Sequence, residues 1–280
     1  MLPSSLTVSI VTHRPDLALL ERCLATLATA IEQAQGQGVV KTVAVALIDN
    51  SEDAATARSV TELGRRAFAQ RSVQMTYRSG HANVGYGVAH NLMLNGTGAD
   101  YQLVLNPDVE VEPDAIENAV RWLDLHPEVG ALAPAVRSPA GTFEYLCRRY
   151  PAVIDLLLRG FAPRWLRERA GRRLARYELR DRIGPDTREP VMNVPVMSGC
   201  CMLVRRGAID ATGGFDPSFF LYFEDYDWSL RLNRVAQSAY LPSMRVVHHG
   251  GRAARKGLSH VLMFVRSGIR FYNKHGWRWK

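Results

Sequence analysis

Three carboxylates fall within four positions in the segment FLYFEDYDWSLRL, Phe220 to Leu232: Glu224, Asp225 and Asp227. The chain reaches them through FDPSFFLYF, a run too apolar for a simple exposed turn, which implies a walled pocket. A carboxylate kept ionised at a helix start beside apolar walls is suited to accept a proton from a hydroxyl, and Asp225 is the candidate. Acids in a first helical turn are also favoured by the helix dipole, a role that suits Glu224 and Asp227. On the helix expected from Glu224 onward, Asp227 meets Arg231 at i and i+4, while Asp225, Trp228 and Leu232 share a face. Glu224 and Trp228 are therefore candidate substrate contacts beside Asp225.

Further polar positions follow the same logic. LVLNPDVEV sets Asn106, Pro107 and Asp108 directly after an apolar run. Asp108 there offers a hard oxygen suited to Mg²⁺ or Mn²⁺ held together with a substrate diphosphate, although each residue of the tripeptide is also turn-prone. RVVHHGG ends with His248 and His249, which either complete a cation site begun by Asp108 or serve structurally. In GHANVGYG, Gly85 and Gly87 open a helix, where backbone amides meet a phosphate or the glycines permit a tight turn. That segment lacks the Lys-Ser/Thr of a P-loop, and no GxGxxG follows the first apolar run, so a dinucleotide cofactor is not expected.

The elements that must position these groups are legible from periodicity. Leu6 to Val11 reads as a strand, followed by Leu17, Leu20, Leu24, Leu27 and Ile31 at steps of three and four. Val43 to Ile48, VQMTYR and YQLVL repeat the strand pattern, each followed by a helical segment. The alternation predicts an α/β fold: a doubly wound, mostly parallel sheet with helices on both faces. Ligands of such sheets bind beyond the carboxyl ends of the strands, which singles out Thr12 and Arg14, Asp49 and Asn50, Asn83 and Gly85, and Asn106 and Asp108. After about Pro134 the rhythm breaks. Strands and helices resume at VPVMSGCCMLVRR, read as a plain buried strand entered by a turn, and the chain ends in a helix expected over His260 to Lys274.

The 280 residues suit one large α/β unit with additions, and 47% hydrophobic content supports a sizeable core. The net charge of +8 implies an anionic partner, and the excess is local: Asp155 to Arg182 holds nine arginines against four acids. Cys23, Cys147, Cys200 and Cys201 show no CxxC spacing, which disfavours a zinc site or disulfide framework and fits a reducing cytoplasm. MLPSSLTVSIVTHRP carries no basic leader and only a short apolar run, so a cytoplasmic protein, soluble or peripheral on the inner face of the plasma membrane, is expected.

Taken in order, the pieces resemble the inverting nucleotide-sugar glycosyltransferases of family 2. The resemblance runs from about Thr7 to Gly251 and is carried by VSIVTHRPDLALLERCLATL, LIDNSED, NVGYGVAHNLML, LVLNPDVEVEPDAI, VPVMSGCCMLVRRGAIDATGGFDPSFFLYFEDYDWSLRL and VVHHGG. The N-P-D form with GGFDPSFFLYFEDYDW is most similar to bacterial rhamnosyltransferases that use dTDP-L-rhamnose to build cell-surface polysaccharide. The resemblance implies a GT-A fold, with residues 1–255 as the transferase domain, a basic helical insertion at about 151–190 and a C-terminal helical extension over 256–280. It implies that Thr12, Arg14 and Asp49 hold the nucleoside, with Asn83 near the base or ribose. Asp108 would bind the divalent cation, Asp225 would be the catalytic base, and His248 would approach the cation or diphosphate, with His249 its close competitor. Asn106 stands where the family's D-x-D pattern has its first aspartate, which weakens the expectation of strict metal dependence.

The implied reaction moves a sugar, L-rhamnose from dTDP-L-rhamnose, to a hydroxyl of a cell-surface glycan or lipid-linked acceptor. A UDP- or GDP-linked donor, or nucleotide-sugar binding without catalysis, are the alternatives. The insertion LLLRGFAPRWLRERAGRRLARYELRDR interleaves leucines, Phe161 and Trp165 with arginines, as do helices lying on an anionic membrane; a solvated flap over the acceptor is the other reading. Nucleic-acid binding is disfavoured because no recognised motif accompanies the basic patch. A nucleotidyltransferase would carry a glycine-rich loop after the first strand, and VTHRPD has no glycine.

Overall fold

The structure is a computed structural model that describes residues 3–96, 98–250 and 257–280. Gly251 of the HHGG motif and the expected domain boundary at 255–256 lie outside the described residues. Apolar runs alternating with leucine-spaced segments build β1 (Ser4–Thr12), α1 (Leu17–Gly36), β2 (Val40–Asp49), α2 (Ala54–Phe68), β3 (Val73–Arg78), α3 (Tyr86–Leu94) and β4 (Tyr101–Leu105). Then come β5 (Val109–Val111), α4 (Ala115–Leu125), β6 (Val129–Arg137) and β7 (Phe143–Glu144). The basic insertion forms α5 (Val153–Phe161), α6 (Arg164–Arg169) and α7 (Gly171–Tyr177). The chain ends through β8 (Val191–Met192), β9 (Cys201–Arg205), α8 (Arg206–Thr212), α9 (Glu224–Leu232), β10 (Gln237–His248) and α10 (Gly257–His275).

The main sheet runs in the order β3-β2-β1-β4-β9-β6-β10-β5. The parallel expectation holds for β3-β2-β1-β4 and for β6 beside β10, while β9 lies antiparallel between β4 and β6, and β5 is antiparallel to β10. Of the antiparallel members, β9 follows the point near Pro134 where the βα rhythm breaks, whereas β5 precedes it. Strand side chains alternate between two cores. On β9, Cys201 and Leu203 face the larger core under α1, α2 and α4, while Met202 and Val204 face a second core with Ile209 of α8 and Trp228 of α9. Helices therefore cover both faces, as the alternation predicts.

Two local devices matter for the site. Asp16 and Asp53 cap α1 and α2 by accepting from backbone amides of the first turn, satisfying donors that a helix start otherwise leaves open. Parallel register places Thr12 directly opposite Asp49, so two polar residues meet at the carboxyl edge of the sheet. Beyond the sheet, Phe219, Phe223 and Tyr226 pack with Phe271 and Tyr272 of α10 in an aromatic cluster. The start of α5 bonds to the C-terminal tail through Val153 N–H to the Arg278 carbonyl, 2.7 Å. Insertion and C-terminal helix thus flank the helix that carries Asp225.

Candidate active site

At the end of β1, Thr12 donates its hydroxyl to Asp49 Oδ1 at 2.9 Å, and the Ser51 amide donates to the same oxygen at 3.1 Å. Both residues are buried. Arg14 sits at the mouth with an exposed side chain and a φ of 48°, its amide donating to Ser51 Oγ at 2.7 Å. Asn83 turns inward and accepts from the Gly85 amide at 3.1 Å. The structure brings Thr12, Arg14 and Asp49 together on one strand edge. Asn83 connects to that edge through Gly85, whose carbonyl accepts from Asn50 at 3.1 Å.

Gly85 makes a backbone contact that only a glycine allows. Its φ is 86°, and a Cβ there would lie 2.3 Å from the Phe220 carbonyl oxygen. That same oxygen accepts from the Tyr86 amide at 3.0 Å, so the first turn of α3 is occupied by the FFLYFED segment. A glycine is required because two backbones touch. The tight-turn reading is correct, and the contact explains why the segment needs NVGYG opposite it.

Tyr86 carries the connection onward. Its hydroxyl lies 2.9 Å from Asn106 Oδ1 and 2.7 Å from the Gly199 carbonyl; with one proton it donates to one of them at a time. The Gly199 amide in turn donates to Asp225 Oδ2 at 3.0 Å. The strand end that bears Asp108 and the helix start that bears Asp225 are therefore tied through Tyr86 and Gly199. Burial pushes the Cys200 thiol up to about 12, a Ser198 hydrogen bond opposes this, and the charges of both Asp108 and Asp225 add to the rise.

The approach to Asp225 is strained. Tyr222 and Phe223 have φ values of 68° and 65°, left-handed conformations that bulky side chains rarely adopt and that cost roughly 1–3 kcal/mol each. Such strain gathers where side chains must be aimed, and these two residues aim Glu224 and Asp225. Burial raises the Asp225 carboxyl above its ordinary value, while the Gly199 amide and then the Arg148 guanidinium hold it down. Glu224 is buried, has an unpartnered Oε2, and is pushed well above the usual carboxylate range by burial and by the charge of Asp225. Of the pair, Glu224 carries the stronger push toward its neutral form, while the Gly199 amide and Arg148 favour the charged form of Asp225.

Two roles change on this helix. Trp228 is fully buried, packs at a tilt of 51° against Phe215 with ring centroids 4.3 Å apart, and donates its indole N–H to Thr212 at 3.0 Å. It is a core residue, not a substrate contact: the apolar face it shares with Leu232 points into the second core. Asp227 is likewise no exposed helix cap. It is fully buried and holds Arg231 at 2.8 Å, Lys274 at 2.6 Å and His275 at 2.8 Å, joining α9 to the end of α10.

The two histidines diverge. His248 Nε2 stands 3.6 Å from Asp108 Oδ1, and its Nδ1 is 3.3 Å from Glu144 Oε2. A proton on Nδ1 shared with Glu144 leaves the Nε2 lone pair facing Asp108, the arrangement by which a carboxylate orients a metal-binding imidazole. Asp108 Oδ1 is buried and has no hydrogen-bond partner. One hard oxygen and one imidazole, with the remaining positions left to a diphosphate, fit Mg²⁺ or Mn²⁺. No cluster of three or more His, Cys, Asp or Glu able to hold a metal forms among the described residues. His249 is corrected: its ring points to Glu110 at 2.5 Å, a carboxylate that also holds Arg22 at 2.6 Å.

Sequence reasoning missed Glu144 and Arg148, which lie in the stretch without clear periodicity. It also left Gly250 unexplained. A Cβ at that position would fall 2.3 Å from His248 Cε1, so the glycine after the His pair makes room for the ring. Arg148 is 8% exposed, donates to the Tyr226 hydroxyl at 2.7 Å and keeps an unpartnered Nε. A cavity of about 1110 Å³ opens beside it, with Asp225 and Glu224 in one wall and residues of α5, α6, α7 and α10 in the others.

Residues 3–257 match the family described as "Glycosyltransferase like family 2". An N-acetylglucosaminyl-diphospho-decaprenol L-rhamnosyltransferase of Mycobacterium tuberculosis is 31% identical over 293 aligned positions, which cover 98% of this chain and 86% of that protein. The rhamnosyltransferase WbbL of Escherichia coli K12 is 23% identical over 61% of each chain. Among solved structures, the mannosyltransferase PcManGT of Pyrobaculum calidifontis in complex with GDP-Man and Mn²⁺ superposes with a TM-score of 0.59 at 16% identity, over 96% of this chain and 65% of that one. GalNAc-T7 with UDP, GalNAc and Mn²⁺ gives 0.60 at 15%, over 88% of this chain and 43% of that one. These two likenesses concern the fold, the GT-A arrangement of sheet and flanking helices. A carboxylate at a strained helix start, tied to the polar edge of such a sheet, stands within a match that spans most of the sequence, and the chain belongs to the family 2 glycosyltransferases.

Proposed function

We propose that the protein transfers L-rhamnose from dTDP-L-rhamnose to a hydroxyl of a lipid-linked or cell-surface glycan acceptor, with inversion at the anomeric carbon. The observation that carries the reading is Asp225, aimed by a strained turn and linked through Gly199 and Tyr86 to the Asn106-Pro107-Asp108 edge. The choice of sugar rests on the two relatives named as rhamnosyltransferases, one of them similar over nearly the whole chain.

Thr12, Arg14 and Asp49 form the nucleoside end, with Asn83 beside it. Asp108 and His248 would hold a Mg²⁺ or Mn²⁺ ion, which neutralises charge on the departing diphosphate when bound. Asn106, held by Tyr86, is a neutral neighbour of that site. Asp225 takes the proton of the acceptor hydroxyl during a single displacement, so no covalent sugar intermediate is needed. The burial that pushes Glu224 toward its neutral form limits a second negative charge beside that base.

The test is Asp225→Asn, which keeps shape and removes the base. Transfer from dTDP-L-rhamnose to a lipid-linked acceptor should collapse while thermal stabilisation by the donor nucleotide persists. Near-normal turnover would overturn the assignment.

No helix among the described residues is long and apolar enough to cross a membrane. Exposed Leu157, Phe161 and Trp165 of the insertion and Leu262 of α10 stand among arginines, which supports peripheral contact with an anionic bilayer. Flotation with liposomes containing acidic lipid should carry the protein upward and lose it in high salt; absence from both acidic and neutral vesicles would remove this part of the reading.

A further inference from the structure

The hydroxyl of Tyr86 faces two oxygens, the Gly199 carbonyl at 2.7 Å and Asn106 Oδ1 at 2.9 Å, and has a single proton to give. Whichever oxygen receives it, the other meets the phenol with lone pair against lone pair. The Gly199 carbonyl can only accept. The Asn106 carboxamide also carries a donor, and a half-turn about its Cβ–Cγ bond exchanges oxygen and nitrogen without moving another atom. In that rotamer Asn106 Nδ2 donates to the Tyr86 oxygen, the Tyr86 proton goes to Gly199, and both contacts are hydrogen bonds. The amide makes no other side-chain hydrogen bond among the described residues, so its oxygen is left open on the side away from Tyr86.

Asn106 stands two residues before Asp108, in a turn closed by the Val109 amide on the Asn106 carbonyl at 3.3 Å. The cation site proposed there is short of protein oxygens. Asp108 Oδ1 is buried without a hydrogen-bond partner, His248 Nε2 lies 3.6 Å from it, and no cluster of three His, Cys, Asp or Glu forms among the described residues. An amide oxygen is a hard donor of the kind Mg²⁺ and Mn²⁺ accept. We infer that Tyr86 is a positioning residue: it holds the nitrogen of Asn106 and so turns the amide oxygen toward the cation, as a ligand beside Asp108 and His248. The inference rests on the cation site of the proposed function. An aspartate at this position would offer oxygen whichever way it turned. Asparagine does so only while its nitrogen is held, which gives the Tyr86 hydroxyl a task that the ring alone cannot perform.

The test titrates Mn²⁺ into the full chain with saturating thymidine diphosphate and reads the free ion by electron paramagnetic resonance. Tyr86→Phe keeps the ring that packs edge-on against His90 and Phe215, and thermal melts check the fold of every variant. It should bind Mn²⁺ about tenfold less tightly, the lower end of what is lost when a group supporting a metal ligand is removed. Asn106→Ala should weaken Mn²⁺ at least as much, and adding Tyr86→Phe to it should cost nothing further, because the hydroxyl acts through the amide. In Asn106→Asp both side-chain atoms are oxygens, so Tyr86→Phe should no longer weaken the ion there, a rescue that a merely structural role would not give. Tighter Mn²⁺ binding by Tyr86→Phe would show the nitrogen facing the ion. That result, an Asn106→Ala variant with unchanged affinity, or losses that multiply in the double variant would each overturn the inference and leave the proposed cation site standing. Wild-type protein that binds thymidine diphosphate but no Mn²⁺ would remove the cation site itself, and this inference with it.

Discussion

The strand edge proposed for the donor and the surroundings of Asp225 proposed for the acceptor are built on opposite principles. At the donor edge polar groups answer one another: Thr12 bonds Asp49, Ser51 bonds both Asp49 and Arg14, and Asn83 bonds Gly85. Around Asp225 the protein leaves polar atoms unanswered, Arg148 Nε and Glu224 Oε2 among them, and holds two bulky residues in left-handed backbone. Buried polar groups without partners cost about 1–3 kcal/mol each, and Asp108 Oδ1 beside His248 is unpartnered like Arg148 Nε and Glu224 Oε2, so the contrast with the self-satisfied Thr12–Asp49 edge extends to both carboxylates of the proposed site.

Substitutions that break this contrast are expected to differ in size. Asp225→Asn should reduce turnover about 10²- to 10⁴-fold, the usual contribution of a positioned base, with donor-nucleotide binding intact by thermal shift. His248→Ala should weaken cation-dependent activity about 10- to 100-fold, the range seen when groups supporting a metal are lost, whereas His249→Ala removes only the contact to Glu110 and should leave the cation titration unchanged. Equal effects of the two would show that His248 has no special place beside Asp108. Gly85→Ala should destabilise by about 1–3 kcal/mol in urea unfolding, because its Cβ meets the Phe220 carbonyl and its φ is left-handed.

The smallest effect concerns pH. As the proposed base, Asp225 would work ionised, so activity is expected to fall as pH drops through its pKa, which burial raises above its ordinary value. The Arg148 charge lowers that pKa; Arg148→Gln removes the charge, so the acid limb of the rate profile should move to higher pH. A limb that stays in place, or moves down, would detach Arg148 from the base.

The same division governed what could be read in advance. VQMTYR and YQLVL match β3 and β4 residue for residue, and the leucine spacing places the start of α1 at Leu17, because parallel strands and their covering helices carry strong local periodicity. Val109 to Val111 went unrecognised as a strand: three residues long, it is defined only by its antiparallel partner in β10, far along the chain. Pro134 hid the continuity of β6, since proline is rare inside sheets; it sits where the register with β10 shifts between Leu241 and Arg245. Trp228 was misread because helical periodicity identifies an apolar face without saying whether a pocket or a core lies opposite. Glu144 and Arg148 have no local pattern at all. They matter through neighbours, His248 in one case and Tyr226 in the other, that the fold alone supplies.

The backbone contact at Gly85 reaches beyond stability. Because the glycine carbonyl receives Asn50 on one side while its neighbour's amide grips Phe220 on the other, the loop before α3 and the turn before Asp225 are a single welded corner. Anyone grafting a new sugar preference onto this scaffold must transplant residues 83–86 and 219–225 as one cassette, since either half alone would arrive without the surface it was shaped against.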